Sequence, residues 1–217
     1  PKISVFHEKL DTNQTASDKL KKQEGEYTDA DFAYGLVLDK RNRRYQTTDG
    51  YLSRFNQRVP LISEDYSLFN SYEFTTFNQI KEIVTKLSIQ ARAINSVTDE
   101  DVRVSKRLYV PSSRLRGFET GAVGPKDGSD YVGGNYMATI NTSSTVPFVL
   151  QTLESMDLKV FLDIGNVWGV DYSSSIDDSN KIRSSSGVAL EILTPVGPLT
   201  FSFAEAITKA KTDKTET

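Results

Sequence analysis

Residues 158–168 read LKVFLDIGNVW, and their alternation decides the fold. Leu158, Val160, Leu162 and Ile164 fall on one face, with Trp168 further along it, while Lys159, Phe161, Asp163 and Gly165 fall on the other. Period two over this length predicts a β-strand with one apolar face. Working outward, 82–95 repeats the pattern, with Ile83, Thr85, Leu87, Ile89 and Ala91 set against Val84, Lys86, Ser88, Gln90 and Arg92. In 31–39, Phe32, Tyr34, Leu36 and Leu38 oppose the small or slim Ala33, Gly35 and Val37. Further strands are predicted at 3–10, 50–60, 67–78, 135–149, 182–193 and 198–206, about nine in all and each near the length that crosses a bilayer when tilted.

The connections carry as much information as the strands. Those at 11–30, 99–133 and 170–181 are long, whereas those at 41–49, 78–82 and 194–197 are short. Long loops at one end and short turns at the other are the mark of an up-and-down outer-membrane barrel. The polar run at 11–29 and the charged 209–217 read as solvated surface, and so do the three arginines of RNRRYQTTDG at 41–50.

Composition excludes several classes. A net charge of −3 gives no nucleic-acid footprint. Without cysteine, disulfides and thiolate chemistry are ruled out; with one histidine, His7, neither a Ser-His triad nor a multi-histidine metal site is expected, so no catalytic residue, metal or cofactor is assigned. Mean hydropathy of −0.42 suits a soluble protein, but a barrel dilutes that average with its polar inner face. PKISVFHEKL at 1–10 lacks the apolar segment and cleavage site of a signal peptide, and the chain is expected to be an excised fragment.

The longest connection holds RLRGFETGAVGPKDGSDYVGGN at 114–135, with 6 of the 13 glycines of the sequence. Glycine serves where the backbone needs positive φ or close approach. Leu115, Phe118, Val123, Pro125 and Tyr131 lie between those glycines, so the segment reads as a loop of fixed shape packed against something. Loops this long inside compact domains are usually functional. Arg116 at its tip either pairs with an inward carboxylate such as Asp163 or is exposed on an outer loop. Glu191 is a second candidate lumen acid, on the face it shares with Gly187 and Ala189.

The core Arg116-Gly117-Phe118, the segment GAVGP at 121–125 and the exit GGN at 133–135 resemble the long inner loop of the outer-membrane protein assembly factors. These are the central barrel subunits of the bacterial β-barrel assembly machinery. The resemblance continues through VFLDIGNVW at 160–168, IRSSSGVALEILTPVGPLTFSFAE at 182–205 and RNRRYQTTDGY at 41–51. It implies an all-β, antiparallel, up-and-down transmembrane barrel, of which residues 1–217 would hold about nine of an implied sixteen strands. It further implies that 96–134 is a lumen loop whose Leu115, Arg116, Gly117 and Phe118 motif meets Asp163. The function implied is folding and inserting other barrels into the outer membrane of a Gram-negative bacterium. Its partners would be unfolded barrel clients, outer-membrane lipoproteins of the machinery and the lipid bilayer, with no nucleic acid. A related transporter serving one dedicated client, and a soluble β-sandwich binding module, are the alternatives. The chain departs from the family pattern at Pro111-Ser112-Ser113, where a glycine pair is common, and at Ser143, four residues before Pro147, where a glutamate is common. Losing that carboxylate leaves more of the pairing to Asp163.

Overall fold

A computed structural model describes residues 1–147, 156–176 and 178–216. Nine strands form one sheet: β1 (Lys2–Leu10), β2 (Gly25–Asp39), β3 (Gly50–Ile62), β4 (Ser67–Ile80), β5 (Ile83–Ser96), β8 (Tyr136–Thr145), β9 (Met156–Trp168), β10 (Arg183–Thr194) and β11 (Gly197–Thr208). Each pairs antiparallel with the next in that order, leaving β1 and β11 at the edges. Two further strands, β6 (Lys126–Asp127) and β7 (Asp130–Tyr131), make a small hairpin inside the long connection.

The sheet is the reverse of a water-soluble one. Ile89, Ile140, Val160, Leu162, Val188, Phe201 and Phe203 are exposed, whereas Ser88, Gln90, Thr139, Asp163 and Ser185 on the alternate positions are buried. Apolar side chains point out and polar ones in, which only a lipid exterior rewards. A soluble β-sandwich would bury the apolar face against a second sheet. Among the described residues the one large sheet has no such partner, and the similarity in sign of its faces to a barrel wall stands against that alternative.

What fills the inside is the long connection itself. Of the nine residues in the main apolar cluster, Val102, Leu108, Val110, Leu115, Phe118 and Val123 come from the loop after β5, and only Ile94, Met137 and Val167 from the wall. Burying a side chain such as Phe118 contributes roughly 2–3 kcal/mol, so the loop is fixed to the wall by hydrophobic burial before any charge is considered.

Several boundaries differ from the sequence expectation. β2 starts at Gly25, so the end of the supposed surface run 11–29 is strand, and a helical turn α1 (Asp18–Lys21) precedes it. Leu20 and Ala16 of that run are buried against Val132 and Val170. Isolated apolar residues in a polar run carry no period, which hid them. The connection at 63–66 is short although it lies at the end of the long loops, because Ser63, Asp65 and Ser67 form a tight hydrogen-bonded turn there. β8 ends at Thr145, and positions 148 and 149 of the expected strand lie outside the described residues. The arginine-rich turn is more ordered than a basic turn facing water: Arg41 grips Asp39 with two bonds of 2.9 and 2.6 Å, and Asn42 caps Thr48 and Asp49.

Candidate functional site: the inner loop and its anchors

The loop leaves β5 after Ser96 and rejoins the wall at Tyr136. Its two limbs are tied at the neck, where Leu108 and Gly134 exchange backbone hydrogen bonds of 2.8 and 3.0 Å. Beyond the neck the chain turns at Pro111, whose carbonyl accepts from the Arg114 and Leu115 amides. Leu115 and Phe118 then enter the apolar cluster and Arg116, between them, faces Asp163. Two glycines make this path possible. Gly117 has φ +83° and a side-chain carbon there would lie 3.2 Å from the Ala204 Cβ of β11; Gly124 has φ +110° and would meet Val167 at 2.4 Å. A side chain at either position is strained by the backbone and crowded by the wall.

Arg116 holds Asp163 with both arms of its guanidinium. Nε donates to Oδ2 at 2.7 Å, Nη2 donates to Oδ1 at 2.8 Å, and the Arg116 amide adds a third bond to Oδ2 at 3.2 Å. The Asp163 side chain is 0% exposed, and the Arg116 guanidinium lies 3.3 Å from the Phe161 ring centre, stacked on the wall. Asn141 of β8 donates from the same Nδ2 to Asp163 Oδ1 (2.8 Å) and to the Arg114 carbonyl (2.7 Å). A buried carboxylate is tolerable only when paired and hydrogen-bonded in this way. Removing one partner of such a pair costs about 3–5 kcal/mol.

Arg114 widens the network. Its Nη2 donates to Glu73 of β4 at 2.5 Å and its Nη1 to Ser88 of β5 at 3.0 Å. Ser143 lines the cavity of about 580 Å³ below the loop and carries no charge. Glu73 and Asn141 supply polar partners around the turn. Glu191 also lines this cavity but is not brought to Arg116; it accepts from Lys159 at 2.8 Å.

A second set of anchors, at the rim, had no signal in the sequence. Arg103 donates to Asp29 of β2 at 2.5 Å and lies over the Tyr27 ring. Lys106 bonds Asp29 at 3.0 Å, Ser63 at 3.0 Å and Asp65 at 2.5 Å. Burial alone would raise the Asp65 carboxyl, but Lys106 and Ser63 donate to it and hold it below its ordinary value. Arg107 pairs with Asp171 of the β9–β10 loop, which also accepts from the Val102 amide and Asn135. Asp171 is held low against its burial by the Asn135 and Val102 hydrogen bonds and the Arg107 charge. In the sequence these charges sit in DEDVRVSKR at 99–107, which resembles any solvated run. The charged end at 209–217 misleads in the same way: the Asp213 side chain is fully buried, bonded to the equally buried Arg183.

The arrangement holds a loop inside a wall. Comparison with known proteins places it. A protein named outer membrane protein assembly factor BamA, from Neorickettsia risticii (strain Illinois), is 27% identical over 98% of this chain, which spans 29% of that protein. A protein of the same name from Neisseria meningitidis serogroup B is 28% identical over 46% of the chain and 16% of its own length. A SAM50-like protein of Schizosaccharomyces pombe is 23% identical over 91% of the chain and 44% of its own length. The crystal structure of BamA from Haemophilus ducreyi lacking POTRA domains 1–3 superposes with a TM-score of 0.79 at 25% identity, over 88% of this chain and 41% of that one. The chain thus covers less than half of each of these proteins. The model of the Omp85 superfamily domain matches residues 2–217, and the chain belongs to the Omp85 superfamily.

Proposed function

We propose that this chain is the loop-bearing part of an outer-membrane assembly factor, which folds and inserts β-barrel clients without covalent chemistry. The observation that carries the reading is a lipid-facing sheet braced from inside by one loop, through Arg116 on Asp163, in a chain similar to assembly factors along nearly its whole length. The physical logic is templating: an unpaired strand edge offers backbone donors and acceptors to an incoming strand. A barrel that offers such an edge must keep the rest of its wall from collapsing or splaying, and the loop supplies that stiffness. Its partners are unfolded barrel clients and the bilayer; outer-membrane lipoproteins of the same machinery belong to the reading as the docking partners of the intact protein. The single histidine, His7, sits exposed on β1 and, among the described residues, its ring bonds Thr28 at 2.9 Å, away from Arg116 and Asp163.

The test is depletion of the intact protein in its host, followed by quantification of several unrelated outer-membrane barrels. A collective fall establishes a general assembly factor. Loss of one secreted protein alone replaces the reading with a dedicated transporter.

A further inference from the structure

The segment after β11 does not run off into solvent. From Thr208 it turns back over the outer limb of the loop and pairs with it: the Glu119 amide donates to the Lys214 carbonyl (3.1 Å), the Lys214 amide to Ala122 (3.0 Å), and the Glu216 amide to Gly117 (3.1 Å), around an antiparallel bridge between Phe118 and Thr215. The Tyr131 hydroxyl donates to the Thr212 carbonyl. The segment is pinned at its middle by Asp213. That carboxylate accepts two bonds of 2.9 Å from Arg183 at the start of β10, one of 2.6 Å from the Ala210 amide, and a weak one of 3.4 Å from the Gly124 amide of the loop. Arg183 is itself completed by Asp178 at 2.5 Å and Asn166 at 2.6 Å.

We infer that residues 209–216 are a strap that transmits the position of strand β11 to the turn presenting Arg116. Two features separate this from a passive cap. Two of the strap's three backbone hydrogen bonds to the loop fall on Gly117 and Glu119, which flank Phe118, and Gly117 follows Arg116 directly. A side-chain carbon at Gly117 would lie 3.2 Å from the Ala204 Cβ, so the same turn is set close against β11 as well as bonded to the strap. Asp213 is the strap's buried charge, between the exposed Thr212 and Lys214, so the Arg183 pair is the strap's strongest tie beside its backbone bonds. Movement of β10–β11 carries Arg183, and with it Asp213 and the outer limb of the loop. This coupling concerns where the loop sits and stands independently of the assembly role.

The test introduces cysteines at Glu119 and Lys214, both exposed, in the intact protein in its native membrane; this chain has no other cysteine. The strap predicts a disulfide between them on mild oxidation. It also predicts that Asp213→Asn lowers its yield several-fold and raises hydrogen exchange at residues 116–124, whereas Lys211→Gln changes neither. Absence of the disulfide with Asp213 unaltered overturns the inference, as does a yield that Asp213→Asn leaves unchanged. So does faster exchange confined to 209–216, which is what a passive cap gives. Client-barrel levels are read in the same cells and report separately on the assembly role.

Discussion

The deep anchor and the rim anchors hold the same loop by different means. At the deep anchor one arginine meets one carboxylate, Arg116 on Asp163, with three hydrogen bonds and a ring beneath. At the rim, Arg103, Lys106 and Arg107 share Asp29, Asp65 and Asp171 with Ser63, Asn135 and backbone amides. A single pair fixes one geometry and has no understudy. A shared network tolerates the loss of a member because its neighbours re-pair. The molecule therefore concentrates precision at the tip of the loop and spreads robustness over its base.

The sharpest way to break this contrast is to delete each anchor in turn. Asp163→Ala leaves Arg116 facing an uncharged wall and is expected to cost about 3–5 kcal/mol, read as a lower temperature for the folded-to-unfolded shift of the barrel in detergent gels. Asp29→Asn, which keeps its shape and leaves Lys106 bonded to Asp65, is expected to cost clearly less in the same assay. Equal losses would erase the distinction between the two regions.

Next in size is Gly117→Val, which places a branched side chain at φ +83° against Ala204. Strain of this kind costs roughly 1–3 kcal/mol, and the loop tip should show faster hydrogen exchange while the rim stays protected. Acid then sharpens the comparison from the other side. Asp65 and Asp171 are both held below their ordinary values, so their contribution is fully present above the unfolded carboxylate pKa of about 3.9. It is lost as pH falls below that toward their folded values. Exchange at residues 102–107 should accelerate below about pH 4, and Asp65→Asn should flatten that response. The smallest effect belongs to the half-exposed Lys159–Glu191 pair; Glu191→Gln is expected to change stability by less than about 1 kcal/mol.

How much of this could be read from the sequence follows from the range of the interactions involved. Alternation is local, so 158–168 and 82–95 announce their strands and even their faces. The glycines around Arg116 mark a shaped loop because positive φ is a property of one residue. The rim network is not local: Asp29 and Arg103 are 74 residues apart, and only the strand order brings them together. Asp213 and Arg183 fail for the same reason, in a segment whose composition reads as solvent-exposed. The partners of Arg114 show a further limit. Arg114 reaches Glu73 on β4 and Ser88 on β5, strands that nothing in the motif itself names. A motif identifies the side chain it contains; the partners are chosen by register across the sheet.

The central claim is that the function depends on this loop being held at its tip. Cells depleted of the intact protein are complemented with an Arg116→Glu variant, with the variant's own level in the outer membrane and the levels of several unrelated barrels measured together. The account predicts that the variant reaches the membrane and that the barrels fall together, as in uncomplemented cells. Barrel levels equal to those restored by the unaltered protein would contradict it.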